Sequence, residues 1–351
     1  MSRRVLHILN TSSYSGAENV IITLIEGFRS FFSEKIDFVY VSYDGSIREV
    51  LEKHNISFEP IYAMSLSEIK RVKKKYKPDI IHAHDFTASI ICAAASGRTP
   101  VISHIHNNSP WIKKLCINSI TYGLSCIKYK KILGVSASVF DEYVFGELIR
   151  TKAEVIGNPI DVSKIQRHAD EADDNDAFDV VFLGRLSEQK DPMRFIDIIN
   201  DVKNNYPDIS AVMVGDGVLR QQAEEKIQRL NLGNNITLKG FVSNPYGILK
   251  NSKMLCIPSK WEGFGLVAVE ALALGKPVLA APAGGLPGIV TEACGGVFGS
   301  DEEFADEIVK LLEDEEYLIR KENRALERAE EIDNIEEYIE HIGNIYGKMG
   351  R

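Results

Sequence analysis

Residues 254–281 read MLCIPSKWEGFGLVAVEALALGKPVLAA. Met254 to Pro258 is an apolar run stopped by proline, the pattern of a buried parallel strand. A loop follows with Ser259, Trp261 and Glu262, and Gly263 and Gly265 let the backbone turn sharply or approach a ligand. Leu266 to Leu274 is rich in helix formers, Gly275 suits a helix C-terminus and Pro277 prevents continuation. Two carboxylates thus bracket a helix start, Glu262 in the loop and Glu270 about one turn inside. A helix N-terminus presents unpaired N–H groups and partial positive charge to a phosphate. Glu270 could accept hydrogen bonds from a vicinal diol such as a ribose, with Glu262 facing the far end of the phosphate. The competing reading of the same spacing is a solvated helix face.

Upstream, the same alternation recurs. Val180–Leu183 is a strand, followed by GRLSEQKDP (184–192) and a helix from about Met193 to Asn205, with Pro192 at its start. Arg185 and Lys190 beyond a strand's carboxyl end suit a diphosphate, although such pairs are also common on surfaces. VGDGVLR (214–220), GFV (240–242) and AGGLPGIV (283–290) are further strand-end loops.

The first half begins with a strand at Val5–Leu9, then NTSSYSGAENV (10–20) and a helix from about Glu18 to Phe32. Gly16 lies in the turn, but the G-x-G-x-x-G fingerprint is absent, which argues against a dinucleotide-dependent oxidoreductase. Strands near Ile36–Val41, Ile80–His84, Val101–Ile105 and Ile132–Val135 alternate with helical stretches, the pattern of a mostly parallel α/β sheet. HAHDF (82–86) and SHIHNN (103–108) fall at strand ends. Their paired histidines read as strand-end residues rather than a metal site, since no third ligand recurs at a fixed spacing. VIGNPIDV (155–162) closes this half, and QRHADEADDNDAF (166–178) reads as a polar linker.

With 351 residues, 44% hydrophobic and 26% charged, the chain can bury two cores. No apolar run reaches the length of a membrane span and no signal peptide is evident. Five cysteines without metal-type spacing (Cys92, Cys116, Cys126, Cys256, Cys294) suggest small core residues in a reducing cytosol. The net charge is −9, but residues 1–168 carry +6 and the remainder −15. The basic half, with Lys70–Lys77 and the mixed stretch Trp111–Ile132, could meet an anionic surface. A solvated helix end and a plain surface helix with a basic turn are the simpler readings.

Taken together, these strings resemble family 4 retaining glycosyltransferases of the GT-B fold. That family has two glutamates separated by seven residues around EGFG, followed by GKPV. GRL-x-x-x-K, GDG, GFV and the glutamate stretch occur here in the family's order. The turn at Gly16 is similar to the family's GGAE motif, with Ser15 in place of the first glycine. Asn107 replaces the aspartate after the family's histidine, here His106; Asp191 stands where glycine is usual, and Gly288 replaces the glutamate of GGxPE.

The resemblance implies two Rossmann-like domains facing a central cleft. The expected boundaries are 1–168 for an acceptor-side domain, 169–334 for a nucleotide-sugar-binding domain, and 335–351 for a helix crossing back to the first. It implies a retaining, metal-independent transfer from a nucleotide-sugar donor, expected to be a UDP-sugar, with no cofactor. The acceptor would be a glycan or lipid-linked molecule of bacterial-type polysaccharide or glycoconjugate synthesis, with no role for nucleic acid. The protein would be cytoplasmic, peripheral at the inner membrane face. Implied catalytic residues are His106, Arg185, Lys190 and Glu262. Donor binding would use Gly16, Gly184, Arg185, Lys190, Val242, Glu262, Gly263, Phe264, Gly265, Leu266, Val267 and Glu270, with His106 touching the sugar and Val242 the base. The rivals are a non-catalytic nucleotide-sugar-binding subunit and a GT-B sugar epimerase.

Overall fold

The computed structural model describes residues 3–14, 16–32, 36–174 and 176–349. The chain forms two compact units, one of Met1–Pro159 with Asn334–Arg351 and one of Ile160–Asp333. In the first, the strands are β1 (Arg3–Ile8), β2 (Ile36–Tyr43), β3 (Ser57–Ile61), β4 (Ile80–His84), β5 (Val101–Ile105), β6 (Tyr129–Gly134) and β7 (Ala153–Val155). They pair all-parallel in the order β3-β2-β1-β4-β5-β6-β7. The second unit contains β8 (Val180–Leu183), β9 (Ala211–Val214), β10 (Ile236–Gly240), β11 (Met254–Ile257), β12 (Val278–Ala280) and β13 (Gly295–Val297). Its sheet is likewise parallel, in the order β10-β9-β8-β11-β12-β13. β4, β5, β9 and β11 are buried along their whole length. Short apolar runs of this kind, with helices between them, have no other way to hide both faces.

Each sheet reverses its strand order once, at β1/β4 in the first and β8/β11 in the second. Open α/β sheets bind ligands beyond the strand carboxyl ends at such a reversal. Both candidate centres of the molecule lie there.

The helix Ile335–Met349 belongs to the first unit. It buries Tyr338, Ile339, Ile342, Ile345 and Tyr346 in the core shared with the helix Gly16–Phe31. Glycines make the approach possible: a Cβ on Gly27 would sit 2.6 Å from Ile339 Cδ1, and one on Gly343 2.8 Å from Phe32 Cζ.

Several expectations from sequence differ. Residues 160–168 pack in the second unit, where the sequence reading ended the first domain at 168, and Asn334 belongs to the first. Part of the expected linker is the helix Val162–Asp170. It buries only Val162 and Ala169, so its polar composition hid it, and Gln166 donates to the Ala273 carbonyl at 3.0 Å. The basic run 70–77 is not simply solvated. Arg71 and Lys75 pair with buried Glu59 at 2.6 and 2.5 Å. Trp111–Ile132 divides into a 3-10 turn (Pro110–Lys113), a helix (Ile117–Ser125) and the start of β6. Four of the cysteines are buried, but Cys116 is only half-buried, and all five are free thiols. Ser15, of the glycine turn, lies outside the described residues.

Candidate active site

In the second unit the loops after β8 and β11 lie side by side at the reversal point. Lys190, from the first loop, places Nζ 2.5 Å from Oε1 of Glu262, from the second. Glu262 is 5% exposed, so two charges are withdrawn from water together, and each needs the other. Ser259 Oγ donates to the same Glu262 oxygen at 2.8 Å. Gln189 ties the two loops again, donating from Nε2 to the Trp261 carbonyl at 3.1 Å. Arg185 is exposed and donates to Gln189 Oε1 at 3.4 Å. Two sequence motifs 72 residues apart thus form one electrostatic unit.

The backbone of this centre depends on glycine. Gly184, which the sequence placed beside Arg185, is followed in space by Gly215: a Cβ on Gly215 would lie 2.0 Å from the Gly184 carbonyl oxygen. Gly284 has φ +55°, and a Cβ there would collide with the Glu262 carbonyl oxygen at 1.6 Å. The AGG of 283–285 is therefore the floor under Glu262, Gly263 and Phe264. At Gly288, where the resemblance expects glutamate, a Cβ meets nothing within 4 Å.

Gly265, at φ 104°, is the residue before the helix Leu266–Ala273, and no side chain caps that helix. The N–H groups of Leu266 and Val267 point out of its first turn, where an anion is stabilised by the helix end. One turn on, Glu270 is half-buried and accepts from the Tyr246 hydroxyl at 3.1 Å. Burial pushes its carboxyl above the ordinary value, opposed by the Tyr246 hydrogen bond and the charge of Lys190. Val242 follows β10, half-buried against the same core as Tyr246, Phe264 and Val267. Of the residues expected from sequence, Gly184, Arg185, Lys190, Val242, 262–267 and Glu270 thus all sit at the carboxyl edge of one sheet.

Gly16 and His106 belong to the first unit. Gly16 opens the helix after β1 and is exposed; His106 follows β5 and is half-buried. Around the β1/β4 reversal a cavity is lined by Asn10, Thr11, Glu18, His84, Asp85, Asn107 and Trp111, among others. Asp85 lies in the strand-end string HAHDF, to which the sequence assigned no role. It adopts φ 62° at the start of the helix Asp85–Ala95, and its Oδ1 accepts the His106 backbone N–H at 2.9 Å. Burial raises its carboxyl to about 6, against the His106 N–H bond and with help from Glu18.

Behind this cavity one face of the sheet carries five histidines. Register opposes His7 to His82 and His84 to His104, and period-two alternation adds His106 to the face of His104. His7 supplies the third histidine that sequence spacing did not offer; strand register alone brings it there. Among the described residues, His7/His82/His84 and His84/His104/His106 are the groups compact enough for a metal ion. In the structure their nitrogens face one another. Burial holds all five below the ordinary histidine value, His7 to about 3 and His106 to about 4, so the patch is neutral at physiological pH.

The sequence model for "Glycosyl transferases group 1" matches residues 163–331, and that for "Glycosyltransferase Family 4" matches residues 14–164. An uncharacterised glycosyltransferase of Methanocaldococcus jannaschii is 27% identical over 324 residues, covering 76% of this chain and 79% of that protein. A Campylobacter jejuni α-1,4-N-acetyl-D-galactosaminyltransferase, whose named substrate is a diphosphoundecaprenol-linked glycan, is 25% identical over 287 residues, covering 77% and 76%. Anabaena HepE, solved with UDP and glucose, superposes with a TM-score of 0.85 at 23% identity over 99% of this chain and 100% of that one. TarM superposes with a TM-score of 0.81 at 11% identity over 99% of both, a likeness of fold alone. Two family matches that together run from residue 14 to 331, over two parallel Rossmann-like sheets, place the chain among the family 4, group 1 glycosyltransferases, enzymes of the GT-B fold.

Proposed function

We propose that this glycosyltransferase moves a sugar from a UDP-sugar to a lipid-linked or glycan acceptor in polysaccharide or glycoconjugate synthesis, with retention of configuration and without a divalent metal. The observation that carries the reading is the joined pair of loops at β8/β11, with Lys190, Arg185 and an uncapped helix N-terminus around one point. Charge develops on the nucleoside diphosphate as it leaves, and preorganised cations and N–H groups stabilise that charge in place of Mg²⁺. Glu270, one turn into the helix, holds the ribose. Glu262, released from Lys190 when the diphosphate takes that cation, orients the transferred sugar. Val242 offers backbone groups to the base, Gly16 lies against the diphosphate, and His106 contacts the sugar. No covalent nucleophile is required, since the leaving phosphate can take the acceptor's proton on the same face. Retention rests on the family resemblance. UDP is supported by HepE, solved with that nucleotide, and the acceptor by the substrate named for the Campylobacter relative.

An anionic membrane face is the proposed working place. No helix among the described residues is long and apolar enough to cross a membrane. Leu115, Ile117, Ile120, Leu124 and Ile127 nevertheless stand exposed on and around the helix Ile117–Ser125, among Lys113, Lys114, Lys128 and Lys130. Apolar anchors among cations suit an interfacial helix.

One assay tests these points together. Purified protein is given a panel of radiolabelled nucleotide sugars and a polyprenyl-diphosphate-linked glycan in anionic or neutral vesicles, with and without EDTA. Transfer from a UDP-sugar, undiminished by EDTA and faster on anionic vesicles at low salt, is expected. Loss in EDTA restored by Mg²⁺ overturns the metal-free reading; equal rates on both vesicles overturn the membrane reading. Exclusive use of a purine-nucleotide sugar overturns the UDP assignment.

A further inference from the structure

The cavity at the β1/β4 reversal lies wholly within the first unit. It holds about 180 Å³, below the roughly 300–1,000 Å³ of sites for drug-sized ligands, which is room for one sugar ring rather than an oligosaccharide. Trp111 forms one wall, its ring fixed edge-to-face against Phe86 with centroids 4.7 Å apart. Such a ring offers an apolar face to the C–H side of a sugar. Asn10, Thr11 and Asn107 bring amide and hydroxyl groups. Asp85 gives Oδ1 to the His106 backbone N–H at 2.9 Å and leaves Oδ2 for the cavity.

The helices Gly16–Phe31 and Asp85–Ala95 both begin here, and a helix start alone favours an anion. Each contributes roughly half a positive charge. Glu18 and Asp85, in the first turns of those helices, set a full negative charge against each. Glu18 is 3% exposed and acts by its field, which helps to raise the Asp85 carboxyl. The lining contains no lysine or arginine. Behind it the imidazoles are neutral, and the Tyr346 hydroxyl, 2.7 Å from His82 Nδ1, adds no charge. The balance is negative. The helix Leu266–Ala273, by contrast, has no acid in its first turn, so the same device stays open there to a phosphate.

We propose that this cavity seats the acceptor's reacting sugar, and that Glu18 and Asp85 confine it to neutral or amino sugars, turning away uronic acids and sugar phosphates. Asp85 Oδ2 accepts from a hydroxyl or ammonium group of that ring, whereas a carboxylate or phosphate meets two like charges at short range. The inference rests on the reading of the chain as a transferase with a glycan acceptor. Gly16 and His106, assigned to the donor, lie outside the lining.

The chain has two tryptophans, one at each centre: Trp111 in this cavity and Trp261 beside Glu262. Indole ¹H–¹⁵N signals of the full chain, assigned with Trp111→Phe, therefore report on the two separately. Methyl glycosides of glucose and galactose are titrated at pH 7.5, above the value of about 6 for Asp85, beside the matching 2-amino sugars and uronic acids. UDP is titrated in parallel and should move Trp261. Neutral and amino glycosides should move Trp111 alone, and each uronide should bind at least tenfold more weakly than its neutral counterpart. Glu18→Gln combined with Asp85→Asn should bring the uronides within twofold. Asp85→Asn alone, which keeps an oxygen for the His106 N–H, should cut the bias at least threefold and serves if the double variant does not fold. Uronides that bind the wild type as tightly as their neutral partners overturn the charge selection, as does an unchanged bias in folded Asp85→Asn. Glycosides that leave Trp111 unmoved while UDP moves Trp261 overturn the cavity's role and leave the transferase reading standing. Selective sugar binding at Trp111 with no response of Trp261 to UDP supports the cavity and overturns the UDP assignment instead.

Discussion

The two sheets turn at equivalent places and furnish those places in opposite ways. At β8/β11 the groups are charged: Lys190 and Glu262 share a buried contact, Arg185 reaches Gln189 of the same loop, and a helix end adds partial positive charge. At β1/β4 five imidazoles are kept uncharged by burial, beside the carboxyls of Glu18 and of Asp85, the latter raised to about 6. A shared topology fixes where a ligand lies, whereas the side chains decide what kind. A diphosphate needs countercharge that is already in place, while sugar hydroxyls need donors and acceptors of fixed sense without net charge.

The sharpest break of this contrast is to discharge the second centre. Lys190→Ala or Arg185→Ala should lower kcat about a hundredfold, or roughly 3 kcal/mol, with a smaller change in donor affinity. Lys190→Ala also leaves Glu262 buried without its cation, so its folding is checked by circular dichroism and melting temperature. A kcat within a fewfold of wild type in both variants would reduce the turn to a basic loop. Next in size, if Glu270 holds the ribose as proposed, its contact is made equally before and during reaction, so Glu270→Gln should raise donor KM about tenfold while kcat holds. A fall in kcat at constant KM would contradict the ribose assignment.

The smallest effect sharpens the neutral side. The folded state raises Asp85 from 3.8 to about 6, so it favours the protonated form. The associated stability is full below the unfolded value and is lost as pH rises through about 6. Asp85→Asn keeps an oxygen for the His106 N–H but cannot ionise. Its melting temperature relative to wild type should therefore be about 3 °C more favourable at pH 7.5 than at pH 4.5. A difference that is flat with pH would mean Asp85 is not held protonated.

The charged centre was the legible one. GRLSEQKDP carries two cations and a glycine, and EGFG a carboxylate and two glycines, each within a few residues, so the composition of each loop shows in a short window. What sequence could not show is that Lys190 and Glu262 meet, since the pairing depends on β8 lying beside β11. The neutral centre was mostly hidden. HAHDF and SHIHNN stood out, but His7 joins them through register with β4, and Tyr346 arrives on a helix whose partner lies more than 300 residues earlier. The polar helix Val162–Asp170 was missed for another reason: only two of its side chains are buried, too few to leave a periodic trace.

The discontinuous first unit has a consequence for synthesis on the ribosome. Strands β1–β7 emerge first, but Tyr338, Ile339, Ile342 and Tyr346 follow only after all of Ile160–Asp333 has been made. At about 5–20 residues per second, that interval is roughly 10–35 s. During it, Phe28 and the edge of the histidine patch are without the helix that covers them. The second unit, whose residues are contiguous, can finish first, so the nascent chain reverses the usual order in which the earlier domain matures before the later one.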